Sequence, residues 1–158
     1  MNKPNVIAET GSHIVVLTRE FNAPRELVFR AFTEPALVAK WWGSRTSTTT
    51  VDKMEVKHGG LWRFVSSDAG NEYAFRGVFH EISNPERIVQ TFEYEGMPGH
   101  IILETISLEE KGGKTIVTDS SVFQSVEDRD GMIEAGMADG AEESFGKLDE
   151  LLTTLQPA

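Results

Sequence analysis

The chain has 158 residues, and 25 acidic against 15 basic side chains give it a formal charge of −10. That charge repels phosphate backbones and anionic lipids, so neither nucleic acid nor a membrane is an expected partner. Without cysteine, disulfides and thiolate chemistry are excluded, and the sequence shows no secretory leader or long apolar run, so we expect a cytoplasmic protein. Its length and 39% apolar content favour a single globular domain.

The first part of the chain shows no hydrophobic period. It contains Pro4 and Gly11 among polar residues, so we predict a flexible tail at 1–12 and one domain at 13–158. The β-branched and aromatic run at 13–21 predicts the first strand.

Two short helices are predicted next. Pro24 is typical of a first helical turn, and an apolar stripe at helical spacing follows it. Pro35 starts a second helix, which carries Trp41 and Trp42 and should end at Gly43.

The middle of the chain, from about Thr46 to Phe123, alternates short β-rich runs with turn segments. Those turns occupy 57–60, 68–71, 83–86, 95–99 and 110–114. Five turns imply six strands, and the first strand makes seven. Turns this short favour antiparallel neighbours, since a parallel return needs about a dozen residues or more.

One long C-terminal helix is predicted beyond Ser125. Ser125 and Asp128, three residues later, together resemble a capping box at its start. Apolar residues then recur every three or four positions as far as Leu155. About 26 helical residues would reach roughly 40 Å, enough to cross a whole sheet. We therefore predict an α+β fold, in which a curved antiparallel sheet is packed on this helix.

Several stretches, ordered over nearly the whole chain, match a known family. They are Arg19-Glu-Phe-Asn-Ala-Pro24, Val28-Phe-Arg-Ala-Phe-Thr-Glu-Pro35, Trp41-Trp-Gly43, Gly59-Gly-Leu-Trp-Arg-Phe64, Phe75-Arg-Gly-Val-Phe-His-Glu-Ile82, Pro85-Glu-Arg-Ile-Val89 and Gly136-Met-Ala-Asp-Gly140. Together they resemble the bacterial proteins similar to the C-terminal domain of the activator of the heat-shock-90 ATPase, in the START and birch-pollen-allergen (SRPBCC) superfamily. One departure is Ser44, which stands where this family usually has proline.

That resemblance implies a helix-grip fold, in which a seven-stranded sheet curls around the C-terminal helix and leaves a cavity. Superfamily relatives use this cavity for lipids, sterols, hormones and polyketides. The family pattern therefore directs attention to the sheet face that would meet the helix.

Alternation along the strands and spacing along the helix select the residues expected to line such a cavity. These are Trp42, Trp62, Phe64, Phe75, Phe79, Phe92, Met132, Gly136, Met137 and Gly140. The small residues Gly136, Gly140 and Ser144 recur every four positions. These small residues could allow the helix to pack closely, or they could leave free volume for a ligand. The sequence alone does not distinguish between these two interpretations.

No catalytic pattern accompanies these residues. The histidines at 13, 58, 80 and 100 are far apart and lack the spacing of a zinc site, so no metal or cofactor is predicted. No nucleophile elbow occurs either.

The leading hypothesis is a monomeric or homodimeric protein that binds a small hydrophobic ligand in the cavity. One alternative is a regulatory partner of a chaperone ATPase in the stress response. Another is an enzyme of cyclase or dehydratase type, acting through polar side chains such as Arg76, His80 or Glu104.

Overall fold

The computed structural model describes residues 3–156, in which twelve elements follow one another. They are β1 (Asn5–Ile7), β2 (Ile14–Phe21), α1 (Arg25–Thr33), α2 (Pro35–Trp41), β3 (Thr48–Met54), β4 (Leu61–Asp68), β5 (Asn71–Ser83), β6 (Arg87–Tyr94), β7 (Ile101–Lys111), β8 (Lys114–Val122), α3 (Val126–Glu134) and α4 (Met137–Leu155). The ends of the predicted tail and domain, at residues 1–2 and 157–158, lie outside the described residues.

The strands form one antiparallel sheet in the order β1-β2-β8-β7-β6-β5-β4-β3. Strands β3 to β8 are sequential neighbours, as the short turns predicted. The long-range pairing is that of β2 with β8, which runs from Ile14 opposite Val122 to Phe21 opposite Thr115. The α+β fold with a curved antiparallel sheet is thus confirmed.

The sheet has eight strands where seven were predicted. The extra strand, β1, lies inside the segment interpreted as a tail, where Val6 pairs with Leu17 of β2. The guanidinium of Arg129 also donates hydrogen bonds to the backbone carbonyls of Glu9 and Ile14, which ties this segment to α3. Because β1 is short and exposed, it contributes backbone pairing without a hydrophobic period that the sequence would reveal.

Tight hairpins join several strands at the predicted turns. Asp68 pairs with Asn71 across Ala69 and Gly70, and both of these loop residues have positive φ, 52° and 82°. The connection from β7 to β8 is a second two-residue loop with positive φ at both positions. Two-residue hairpins of this type match the twist of the flanking strands.

Two register shifts give the sheet its curvature. One lies between Val51 and Lys53 at the β3–β4 pairing, and the other lies between Phe79 and Glu81 at the β5–β6 pairing. An extra residue on one strand bends that strand and increases its twist. The sheet therefore presents a concave face to the helices.

The C-terminal region differs from the prediction, because two helices replace the single long one. Helix α3 begins after Ser125, whose hydroxyl accepts a hydrogen bond from the Asp128 amide at 3.0 Å. It ends before Gly136, which has a φ of +93° and precedes α4. A left-handed residue terminates a helix, so Gly136 lies at the junction and does not occupy a helix interior. The 19 residues of α4 span about 28 Å.

The core consists of two clusters of buried side chains. In the larger one, Phe145, Leu148 and Leu152 from the second half of α4 are buried with residues of α1, α2 and the sheet. A smaller cluster on the sheet includes Val15, Leu17, Ile102 and Phe123, and residues of α3 and early α4 pack against it. Phe92 and Ala141 pack against both clusters.

Candidate functional site

A cavity of about 430 Å³ lies between the concave face of the sheet and the first half of α4. Side chains of both clusters line it, for example Leu17 and Ile102 from the smaller one and Ile88 and Phe145 from the larger one. Ligand sites of small molecules usually measure about 300–1,000 Å³, so this volume is sufficient for one.

One wall of the cavity consists of aromatic rings. The ring of Trp42 lies 5.2 Å from Phe64, 5.1 Å from Phe75 and 6.5 Å from Phe92, measured between centroids. Phe75 and Phe92 are themselves 5.5 Å apart. The first two contacts are edge-to-face, the arrangement that aromatic pairs prefer. Trp42 thus joins the end of α2 to the rings of three strands.

A turn and a polar clamp hold Trp42 in this position. Gly43 follows with a φ of +104°, and a Cβ there would lie 2.9 Å from the hydroxyl of Ser47. The hydroxyl of Ser144 accepts a hydrogen bond from the Gly43 amide and donates one to the Gly43 carbonyl, both at 2.9 Å. The hydroxyl of Thr49 also donates to the Trp42 carbonyl. Helix α4 is therefore connected directly to the loop that carries the tryptophan.

Beside the aromatic wall, the same sheet face carries a row of polar side chains on three adjacent strands. Strand register places Gln90 opposite Glu104, and Glu104 opposite Ser121. The Gln90 amide donates to Glu104 at 2.8 Å, and the Ser121 hydroxyl donates to Asp119 at 3.4 Å. Glu104 also lies close enough to Asp119 to influence its pKa. All four side chains line the cavity.

This arrangement perturbs the proton affinity of Asp119, which is only 9% exposed. Burial is the largest cause, followed by the negative charge of Glu104, and together they raise the pKa of Asp119 well above its usual range. A carboxyl group that keeps its proton can donate the hydrogen bond which a neighbouring carboxylate accepts. Burial and the neighbouring Glu104 therefore both favour the protonated form of Asp119.

The first turn of α4 leaves one side of the cavity loosely covered. Met132 of α3 and Met137 of α4 line it with flexible side chains. Gly140 also lines it, and a Cβ added there would meet no atom within 4 Å. The sequence left open whether the small residues serve close packing or free volume. At Gly140 the structure agrees with free volume and not with close packing. Ser144 instead serves as the clamp on Gly43.

The structure brings eight of the ten predicted cavity residues to the lining. They are Trp42, Phe64, Phe75, Phe79, Phe92, Met132, Met137 and Gly140. Gly136 does not belong to this set, because it forms the junction before α4. Whether the lining residues contact a ligand stays a prediction.

Trp62 faces the predicted side but lies against the sheet. Its indole occupies the space over Gly77, where a Cβ would come within 2.5 Å of the indole nitrogen. That nitrogen donates to the Thr91 carbonyl at 3.2 Å, and the ring packs 4.7 Å from Phe64. Trp62 consequently supports the aromatic wall without lining the cavity.

Of the three polar side chains considered for catalysis, only Glu104 points inward. Arg76 is exposed and pairs with Glu93 at 3.1 Å, and His80 is exposed as well. Sequence reasoning missed Asp119. Strand alternation contained the signal, since Val117, Asp119 and Ser121 occupy the same face of β8 and are all buried.

In residues 3–156, no three His, Cys, Asp or Glu side chains are placed to hold a metal ion. None of the helices in this part of the chain combines the length and apolar character that crossing a bilayer requires.

A curved antiparallel sheet around a C-terminal helix, with a cavity between them, defines the helix-grip class of the START and birch-pollen-allergen superfamily. The chain belongs to the family described as Activator of Hsp90 ATPase homolog 1-like protein, whose model matches residues 22–153. The resemblance found in the sequence is thereby confirmed. No curated protein matches the chain.

Solved structures agree with this assignment. A protein from Rhodobacter sphaeroides is 27% identical with a TM-score of 0.88, and the match covers 96% of this chain and 99% of that one. A protein from Arthrobacter aurescens is 24% identical with a TM-score of 0.88, covering 98% and 92%. DynU16, from the dynemicin biosynthetic locus, is 21% identical with a TM-score of 0.72, covering 92% of this chain and 49% of that one. The last two show a shared fold.

Proposed function

We propose that this protein binds one small apolar or aromatic molecule in the cavity between the sheet and α4. The observation that carries the proposal is the aromatic wall around an accessible volume of about 430 Å³. Burying apolar surface contributes about 25 cal/mol per Å², so a ligand that covers these rings gains affinity mainly from shape and burial. The two methionines at the loosely covered side allow the wall to adapt to the ligand.

Native mass spectrometry of the purified protein is the first test, because a co-purifying small molecule would be seen directly as added mass. A screen of aromatic and aliphatic compounds then follows tryptophan fluorescence and the melting temperature. Trp42 lies in the wall, so its emission should change when a ligand displaces water.

A cavity-blocking variant makes the screen specific to the site. Ala141→Leu enlarges a side chain that lines the cavity, and we expect it to weaken binding of every ligand found. Ala138→Leu is the matched control, since Ala138 lies on the same helix and is exposed. Equal affinity of both variants and the wild type, or no ligand at all in the screen, would contradict the proposal.

A second candidate follows from the family assignment over residues 22–153. As a regulatory partner of a chaperone ATPase, the protein would change ATP turnover on binding. Measuring ATPase activity of the chaperone at saturating protein tests this role, and unchanged turnover would exclude it. The cavity has no part in this candidate, so Ala141→Leu should leave any such effect intact.

A further inference from the structure

The charges around the cavity have one sign. Among the described residues 3–156, no Lys, Arg or His lines it, whereas Asp68, Glu104 and Asp119 do. Asp68 accepts a hydrogen bond from Thr46 at 2.8 Å and is half-buried, while Asp119 is buried at the centre of β8. Any ligand in this cavity is therefore surrounded by acids and by aromatic faces.

The two inner acids sit close to the aromatic wall. Gln90 donates to Glu104, and Phe92 is the next inward-facing residue on the same strand as Gln90. Two residues along a strand span about 7 Å, which separates the acid row from the nearest ring of the wall. A molecule with a polar group two or three bonds from an aromatic ring spans this distance.

Glu104 and Asp119 bring two acidic groups together in a largely apolar cavity, where a negative charge is costly unless it is paired. The Gln90 amide and the Ser121 hydroxyl supply hydrogen bonds to the pair, but neither supplies positive charge. Arg19 of β2, which is buried on the same sheet face, forms an ion pair with Asp149 of α4 at 3.7 Å. Since no basic side chain of residues 3–156 lines the cavity, a ligand can bring a positive charge to the two acids.

We propose that the ligand is an apolar or aromatic molecule carrying a protonated amine, whose ammonium group binds Glu104 and Asp119 while its hydrocarbon lies against Trp42, Phe75 and Phe92. This inference rests on the proposed function, since it names the chemical class of the molecule in the same cavity. The aromatic faces add to the attraction, because the ring quadrupole attracts a cation placed over the face of the ring.

Two other ligand classes fit less well. A carboxylate would bring a further negative charge beside Glu104 and Asp119, where like charges repel at short range in a medium of low dielectric constant. A neutral alcohol or ketone can exchange hydrogen bonds with the pair, but it leaves the charge of the pair uncompensated. Affinity should therefore fall from amine to alcohol to carboxylate.

Three probes with one hydrocarbon skeleton test this order: naphthylethylamine, naphthylethanol and naphthylacetate. Dissociation constants come from isothermal titration calorimetry on the full chain at neutral pH and low salt. Hydrogen bonds between charged groups are stronger than those of a neutral hydroxyl, so the amine should bind at least about tenfold more tightly than the alcohol. The carboxylate should bind most weakly.

Variants then assign the preference to the acids. Glu104→Gln combined with Asp119→Asn should reduce the amine preference to less than about threefold while the alcohol still binds. Glu109→Gln is the matched control, because Glu109 lies on the same strand as Glu104 and is exposed. The single variant Glu104→Gln gives the same comparison if the double variant does not fold, as judged by circular dichroism.

The outcomes separate the two proposals. Equal or weaker binding of the amine than of the alcohol would overturn the amine inference and leave cavity binding intact. A preference that survives in the acid variants would overturn it as well. Binding of none of the probes would overturn both the inference and the proposed function.

Discussion

Two glycines near the start of α4 should respond oppositely to the same substitution. Gly140 and Gly136 each have no atom within 4 Å of an added Cβ, so neither alanine meets a steric obstacle. They differ in backbone conformation, because Gly136 has a φ of +93° whereas Gly140 lies in the helix and its amide bonds to the Gly136 carbonyl at 3.0 Å. Comparing the two alanine variants therefore measures the effect of backbone conformation without a difference in packing.

The magnitudes follow from helix propensity and left-handed strain. Gly140→Ala should raise the free energy of unfolding by about 0.5–1 kcal/mol, because alanine loses less backbone entropy in a helix. Gly136→Ala should lower it by about 1–2 kcal/mol, the cost of a left-handed conformation for a residue with a Cβ. For a domain of this size, about 1 kcal/mol corresponds to a shift of about 2–4 °C in Tm.

Differential scanning calorimetry and urea unfolding measure both variants against the wild type. Gly146→Ala is an informative third case, since its Cβ would lie 2.8 Å from a guanidinium nitrogen of Arg45. That guanidinium forms an ion pair with Glu150 at 2.6 Å, which the added methyl group should disturb. Gly146→Ala should therefore raise the free energy of unfolding by less than Gly140→Ala does. Stabilisation by Gly136→Ala, or destabilisation by Gly140→Ala, would refute the reasoning.

Three further predictions concern polar contacts. Because burial raises the pKa of Asp119, the unfolded chain loses this proton first, so the free energy of unfolding falls as pH rises from about 4 toward the raised pKa. Asp119→Asn should remove that slope, as urea titrations at several pH values would show, and an unchanged slope would contradict it. Ser144→Ala removes two hydrogen bonds to Gly43, so it should cost about 1–2 kcal/mol in chemical denaturation and alter tryptophan emission; an unaltered emission would count against the clamp. Arg129→Met removes the side-chain donor from the carbonyls of Glu9 and Ile14, so hydrogen exchange of the β1 amides should accelerate, and unchanged protection would show that β1 is held by other contacts.

Local chemistry was sufficient to predict most of the elements. Turn residues and β-branched runs located the strands from β3 to β8, and Pro24 and Pro35 marked the starts of α1 and α2. The hairpin at Gly112 follows from residues that tolerate positive φ. These features depend on neighbours in sequence, which is why a single chain reveals them.

The break between α3 and α4 was not predictable from the same signals. Ile133, Met137 and Ala141 keep a spacing of four residues across the junction, so the apolar period continues although the backbone does not. Only the left-handed conformation of Gly136 ends the helix, and glycine also occurs at helical positions such as Gly140. Tertiary contacts decide which of these glycines leaves the helix.

The candidate site was predicted in part for a comparable reason. Alternation identifies the face of a strand, and it placed Phe64, Phe75 and Phe92 correctly on the concave side. Alternation does not show how far a side chain extends from the sheet into the cavity. Trp62 was therefore predicted to line the cavity, although its ring packs against the sheet. Asp119 was not predicted, because its raised pKa depends on its own burial and on Glu104, a residue of another strand.

The two halves of α4 differ in how much of their surface is packed in the core. The second half is anchored by Phe145, Leu148 and Leu152 in the larger core, and Ser144 marks where this anchorage starts. The first half borders open volume at Gly140 and contributes little buried surface. Exposed positions between Met137 and Ser144 should therefore tolerate substitution with smaller losses of stability than Phe145, Leu148 or Leu152.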